Sequence, residues 1–229
     1  MEYTIQHGPV FSVLVITLDE AEQVVAQPNS MLSMTGGIQI SAAMGRRESG
    51  AGLWSGFKSL LGGENFFTSE YTAKKAEQTL MLAPGAQGDI LTLQLGEEDS
   101  YYLTRGSYLA NIGSCQLTIK YSGVKGLMSK KGLFLLRAAG TGNVFCQCYG
   151  AIIHRRLEED ENFYIDNRFV VAFSDSVKYQ LVKATESMKD SIFSGEGLVN
   201  RYTGPGDVYY QTRAKPGSGF LTRAFDAAF

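Results

Sequence analysis

The chain has 229 residues, 44% hydrophobic and 19% charged, with 21 basic against 23 acidic side chains. Apolar residues spread along this length support a buried core and exclude a disordered chain, and a net charge of −2 lacks the basic excess that non-specific nucleic-acid binding requires. Three cysteines, Cys115, Cys146 and Cys148, are too few and odd in number for a disulfide framework, which suits a reducing compartment and gives a cytoplasmic expectation.

In chain order, residues 10–18 (VFSVLVITL) are nearly all apolar or β-branched and read as a strand buried on both faces. The start of the chain has neither a basic-then-apolar leader nor an Arg-rich amphipathic one, so no targeting segment is expected. No apolar run approaches the ~20 residues of a membrane helix. A strand begins near Gln23, and Gln27-Pro28-Asn29-Ser30 is a turn signal. Met31–Met34 and Ile38–Ile40 flank Gly36-Gly37 and read as a hairpin.

Gly45–Gly63 interrupts the strands. Within it Trp54, Phe57, Leu60 and Leu61 recur at helical spacing. The reading is a short amphipathic helix or structured loop between glycine hinges, whose apolar face must dock somewhere. Strands resume at 66–73, 78–82 and 90–95, and Gly96–Asp99 is an acidic turn. Further strands are expected at 101–103, 106–110, 117–121, 133–136 and 152–154, followed by a second acidic turn at Glu158–Glu161. The last set falls at 163–165, 167–172, 177–181, 197–200 and 209–213, ahead of a break at Lys215–Gly219 and an amphipathic tail.

Three short motifs stand out: Gly88-Asp89-Ile90-Leu91, Gly142-Asn143-Val144-Phe145 and Gly206-Asp207-Val208-Tyr209. Each is a glycine, then Asp or Asn, then a β-branched residue, then a large apolar one, with an earlier glycine at 85, 140 and 204. The reading is a three-fold internal repeat whose glycines supply tight turns before a core strand. The predicted fold is all-β: a β-sandwich of the double-stranded β-helix-like kind, forming one compact domain. Its three tandem repeats fall near 1–97, 98–158 and 159–214, with the 45–63 loop and short helix inserted in the first and a tail at 215–229.

The start Ile5–Phe11, the run Gln27–Met31, the segment Gly62-Gly63-Glu64-Asn65-Phe66-Phe67, the Ala83-Pro84-Gly85 end of the next β-rich run and the three glycine motifs resemble the altered inheritance of mitochondria protein 24 family. That resemblance implies three tandem units, each similar to a subunit of the tryptophan RNA-binding attenuation protein. It implies no catalytic residues. The mitochondrial inner-membrane role of the fungal members is not carried over, because the chain looks like a bacterial-type member.

Candidate sites are few. Cys146 and Cys148 share a strand face with His154 further on, but a C-x-C with one further ligand lacks the second pair of a zinc site, and buried cysteine behaves as a small apolar residue. His7 and His154 belong to no nucleophile motif. Tyr101–Arg105 and Tyr209–Arg213 interleave aromatic and basic residues as a single-strand binder would, yet acidic turns adjoin the first. No cofactor or metal is expected, and nucleic acid is disfavoured. The expected role is a non-enzymatic scaffold or interaction protein, a homo-oligomer or a binder of a protein partner. Trp54, Phe57, Leu60 and Leu61 are the contact residues, and peripheral membrane contact is the other use of that face. The alternative is a small-ligand or RNA-binding module.

Overall fold

A computed structural model describes residues 1–44, 67–104, 106–121, 134–183 and 198–214. Every regular element among them is a β-strand, as runs rich in Val, Ile, Tyr and Phe between polar turns favour. The expected short helix falls in 45–63, outside the described residues.

The first strands are β1 (Glu2–Gln6), β2 (Val13–Leu18), β3 (Gln23–Ala26), β4 (Met31–Met34), β5 (Ile38–Met44), β6 (Phe67–Ala73) and β7 (Gln78–Leu82). All pairing among the named strands is antiparallel, and β2 and β4 flank β7 while β3 and β5 flank β6. Next come β8 (Ile90–Leu95), β9 (Ser100–Thr104), β10 (Tyr108–Tyr121) and β11 (Phe134–Gln147). The long strands β10 and β11 pair along their whole length. β8 joins the C-terminal half of β11 and β9 its N-terminal half. The last strands are β12 (Ile152–Leu157), β13 (Asn162–Ile165), β14 (Val170–Ser174), β15 (Lys178–Lys183), β16 (Leu198–Thr203) and β17 (Gly206–Gln211). Here β12 and β14 flank β17, and β13 and β15 flank β16. The result is a four-stranded sheet β1-β2-β7-β4, a three-stranded sheet β13-β16-β15, and a ten-stranded sheet running from β12 to β5.

Three apolar clusters lie in chain order. Leu14, Ile16, Leu18, Leu80 and Leu82 centre the first, Leu93, Leu103, Val144 and Cys146 the second, and Phe173, Tyr202 and Val208 the third. Two local devices recur. A register shift falls at Met31/Ser33, Tyr108/Ala110 and Val170/Ala172. In each acidic turn a carboxylate accepts from the first amide of the turn: Glu22 from Asp19, Asp99 from Gly96 and Glu161 from Glu158.

Three sequence expectations are corrected. β2 buries one face, since Leu14, Ile16 and Leu18 are fully covered while Thr17 is exposed. Its alternation is that of a sheet with one side in the core. Met31–Met34 and Ile38–Ile40 do not pair with each other; β4 goes to β7 and β5 to β6, so the glycine-containing turn between them crosses from one sheet to another. The three glycine motifs are not equivalent. Gly142 lies opposite Leu95 and Gly206 opposite Leu157, both at φ near +140° (143° and 142°), but the corresponding place opposite Leu18 is held by Gln78. Gly142 also makes no turn. It lies in mid-strand in β11, opposite Gly113 of β10. Gly88 serves close approach instead: a Cβ there would sit 2.2 Å from the carbonyl oxygen of Cys148.

Candidate functional site

The three regions of the chain are joined edge to edge by the same kind of contact. β3 pairs with the first half of β10, setting Ala26 opposite Ala110 and Val25 opposite Asn111. β9 pairs with β14, setting Leu103 opposite Ala172 and Tyr102 opposite Phe173, whose rings lie 5.4 Å apart. Beside these edges run parallel bridges, Phe11 to Gly88 and Gly88 to Gly150. Their hydrogen bonds match: the Ser12 N–H donates to the Gly88 carbonyl (3.3 Å) and the Asp89 N–H to the Gly150 carbonyl (3.0 Å).

A glutamine clamps each joint. Gln147 accepts from the Gly85 N–H (2.8 Å) and donates to the Gly106 carbonyl (3.1 Å) and to Gln27 Oε1 (2.7 Å). Gln211 accepts from the Tyr149 N–H (2.9 Å) and donates to the Arg168 carbonyl (3.0 Å). The β9–β14 joint adds Asp175, which receives Ser100 Oγ (2.9 Å) and Arg137 Nε (3.0 Å). Burial works to raise the Asp175 carboxyl, but hydrogen bonds from Tyr102, Ser100 and Arg137 outweigh it and hold it below the ordinary value.

At the two ends of this series the matching strands pair on one side only. β4 bonds β7 and β13 bonds β16, and among the described residues no strand pairing covers their other edges. All four residues of β4 are exposed, Leu32 at 56%, and on β13 Tyr164 is also 56% exposed. Val10 and Phe11, just before β2, are exposed as well. β4 carries no charge and no proline, the usual blunting devices of a free edge. By contrast β12, an outer strand of the ten-stranded sheet, carries His154, Arg155 and Arg156.

The sequence candidates fall elsewhere. Trp54, Phe57, Leu60 and Leu61 lie outside the described residues. Cys146 and Cys148 are fully buried in the second cluster, and burial pushes the Cys148 thiol up to about 11. His154 is half-exposed, stacked on Tyr209 (4.7 Å) and bonded to Asp207 Oδ1 (2.8 Å). Among the described residues no group of three or more His, Cys, Asp or Glu is placed to hold a metal. The tyrosine pairs turn inward to protein partners, Tyr102 to Phe173 and Tyr210 to Phe163. A hollow over β15 and β16 is lined by polar groups: Arg201 donates through Nη2 to Gln180 while its buried Nε has no hydrogen-bond partner among the described residues, and Thr203 donates to Asn162. β4 and β13 were not singled out by sequence. The one signal was the uncharged Met-Leu-Ser-Met run, and it cannot tell an inner strand from an edge.

The model of the family described as Mitochondrial biogenesis AIM24 matches residues 3–213. The chain belongs to this family. An uncharacterized protein of Streptococcus pyogenes serotype M6 is 30% identical over 216 residues, covering 93% of this chain and 86% of that protein. A crystal structure of a Streptococcus pyogenes protein, solved as a structural genomics target, aligns with a TM-score of 0.74 at 28% identity, over 99% of this chain and 97% of that one. In this AIM24-family chain no helix among the described residues is long and apolar enough to cross a membrane.

Proposed function

We propose that this AIM24-family protein is a non-enzymatic, self-associating scaffold built from three copies of one β-unit. Strand pairing supports units at 13–82, 90–147 and 152–211, because the same pairing order, register shift and capped acidic turn recur in each. This places β8 and β12 at the start of their units, where cuts at 97/98 and 158/159 would leave them at the end of the preceding ones. Each unit is similar to the attenuation protein subunit in shape, which carries no activity with it. Three cysteines, none of them in a disulfide, keep the cytoplasm as the proposed compartment.

One observation carries the reading: β4 presents Met31, Leu32 and Met34 to solvent on an open strand edge. Such an edge without charge or proline is a pairing template, and a contiguous apolar patch marks an interaction surface. Sedimentation velocity over a concentration series tests it. Mass should rise with concentration, and a single species of 25.0 kDa throughout would defeat the proposal. Thermal shift against free amino acids and short RNAs should be flat; a saturable rise with either would favour a ligand-binding module instead.

A further inference from the structure

Resting on the self-association reading, we propose which surfaces meet: β13 of one copy pairs antiparallel with β4 of a second copy, in the register of the two joints inside the chain. The argument is one of position. Eight residues after the buried leucine that closes the first strand of each unit (Leu18, Leu95, Leu157) come Ala26, Leu103 and Ile165. Ala26 and Leu103 meet Ala110 and Ala172 of the following unit. These alanines sit just beyond the register shift, and the residue there in the first unit is Ser33. A third joint of the same kind therefore sets Ile165 opposite Ser33 and Tyr164 opposite Met34 of the second copy.

The open edges fit that role. The Thr35 N–H donates to the Thr79 carbonyl on β7, so by strand alternation the Met34 N–H and C=O face the free side. Phe173, the counterpart of Met34, faces β9 in the same sense, because the Asp175 N–H donates to the Ser100 carbonyl there. The register shift in β4 is no obstacle, since β10 and β14 carry it at their joints. Tyr164 and Met34, 56% and 37% exposed, would take the place that Tyr102 and Phe173 hold inside the chain. The parallel bridges extend likewise, bringing Gly150-Ala151 beside the exposed Phe11 of the second copy. Unlike ends meet, so the assembly is head-to-tail and grows into a ring or a filament.

Single M34C and Y164C variants, mixed in equal amounts and treated with a short bis-maleimide, test the register. Native thiols give little background: Cys146 is fully buried, and burial raises Cys115 and Cys148 to about 11. A cross-linked dimer is expected in the mixture and absent from either variant alone. A dimer from M34C alone, meaning β4 on β4, overturns the proposal, as does a cross-link within one chain in the double variant. Met34→Pro removes only an edge-facing N–H and should raise the dissociation constant at least ~10-fold with circular dichroism unchanged. Tyr164→Lys on the opposite edge should do the same. Oligomers that persist in both variants, with no cross-link in the mixture, leave self-association standing and sink this contact. A monomer at every concentration up to ~100 µM, ample for a weak specific contact, sinks both.

Discussion

A side chain at Gly142 has nowhere to go: its Cβ would lie 2.1 Å from the Ile112 carbonyl oxygen, on a backbone with φ of 143°. Gly142→Ala should cost about 3 kcal/mol in denaturant unfolding, while Gly36→Ala, with nothing within 4 Å, should stay within ~0.5 kcal/mol. Asp175 gives a pH test. Its folded pKa lies below the ordinary 3.8, so its contribution is full above about pH 4 and fades as pH falls through the folded value. Asp175→Asn should lower stability at pH 7 by roughly 0.5–1 kcal/mol, the modest worth of a partly exposed pair, and flatten the acid limb of a Tm–pH profile. An acid limb identical to the parent's would remove Asp175 from the account.

Between elements, the glutamine clamps hold where strand pairs are short. β3 meets β10 through only three residue pairs, and Gln147, nearly buried at 6%, ties Gly85 to Gly106 across that seam. Gln147→Ala removes these part-buried hydrogen bonds together with the one to Gln27 and should cost about 1–3 kcal/mol in the unfolding free energy. The core strands respond to volume instead: Leu80→Ala, in the fully buried heart of the first cluster, should cost about 2–5 kcal/mol by the same measurement. The strands themselves were legible in the sequence, because the alternation seen in β7 and β13 follows from one face meeting the core. The Met31–Ile40 hairpin was misread because a glycine turn between two apolar runs looks the same whether the runs pair or part.

For the whole molecule, the register position that holds Gln147 in β11 and Gln211 in β17 falls on Ala83 just after β7. A joint between copies, as proposed, would lack that clamp and be weaker than the joints within a chain. Ala83→Gln should therefore tighten self-association, read as a shift of the sedimentation transition to lower concentration; a shift to higher concentration would count against the shared geometry. Trp54 and Phe57 are the contact residues expected from the sequence. Replacing both with alanine should leave the concentration dependence unchanged if strand edges alone drive assembly.

Composition and periodicity alone determined that the chain is all-β, where nearly every strand lies, and that its acidic turns recur. These are local consequences of side-chain alternation and turn chemistry, complete within a few residues. Tertiary structure decided the rest: that Gly142 and Gly206 are counterparts and Gly88 is not, that β10 and β11 run unbroken through their glycines, and that among the described residues β4 and β13 each pair on one side only. Those depend on which backbone edges meet across the chain, from β3 at residue 25 to β10 at 111, and no local pattern records a partner at that distance.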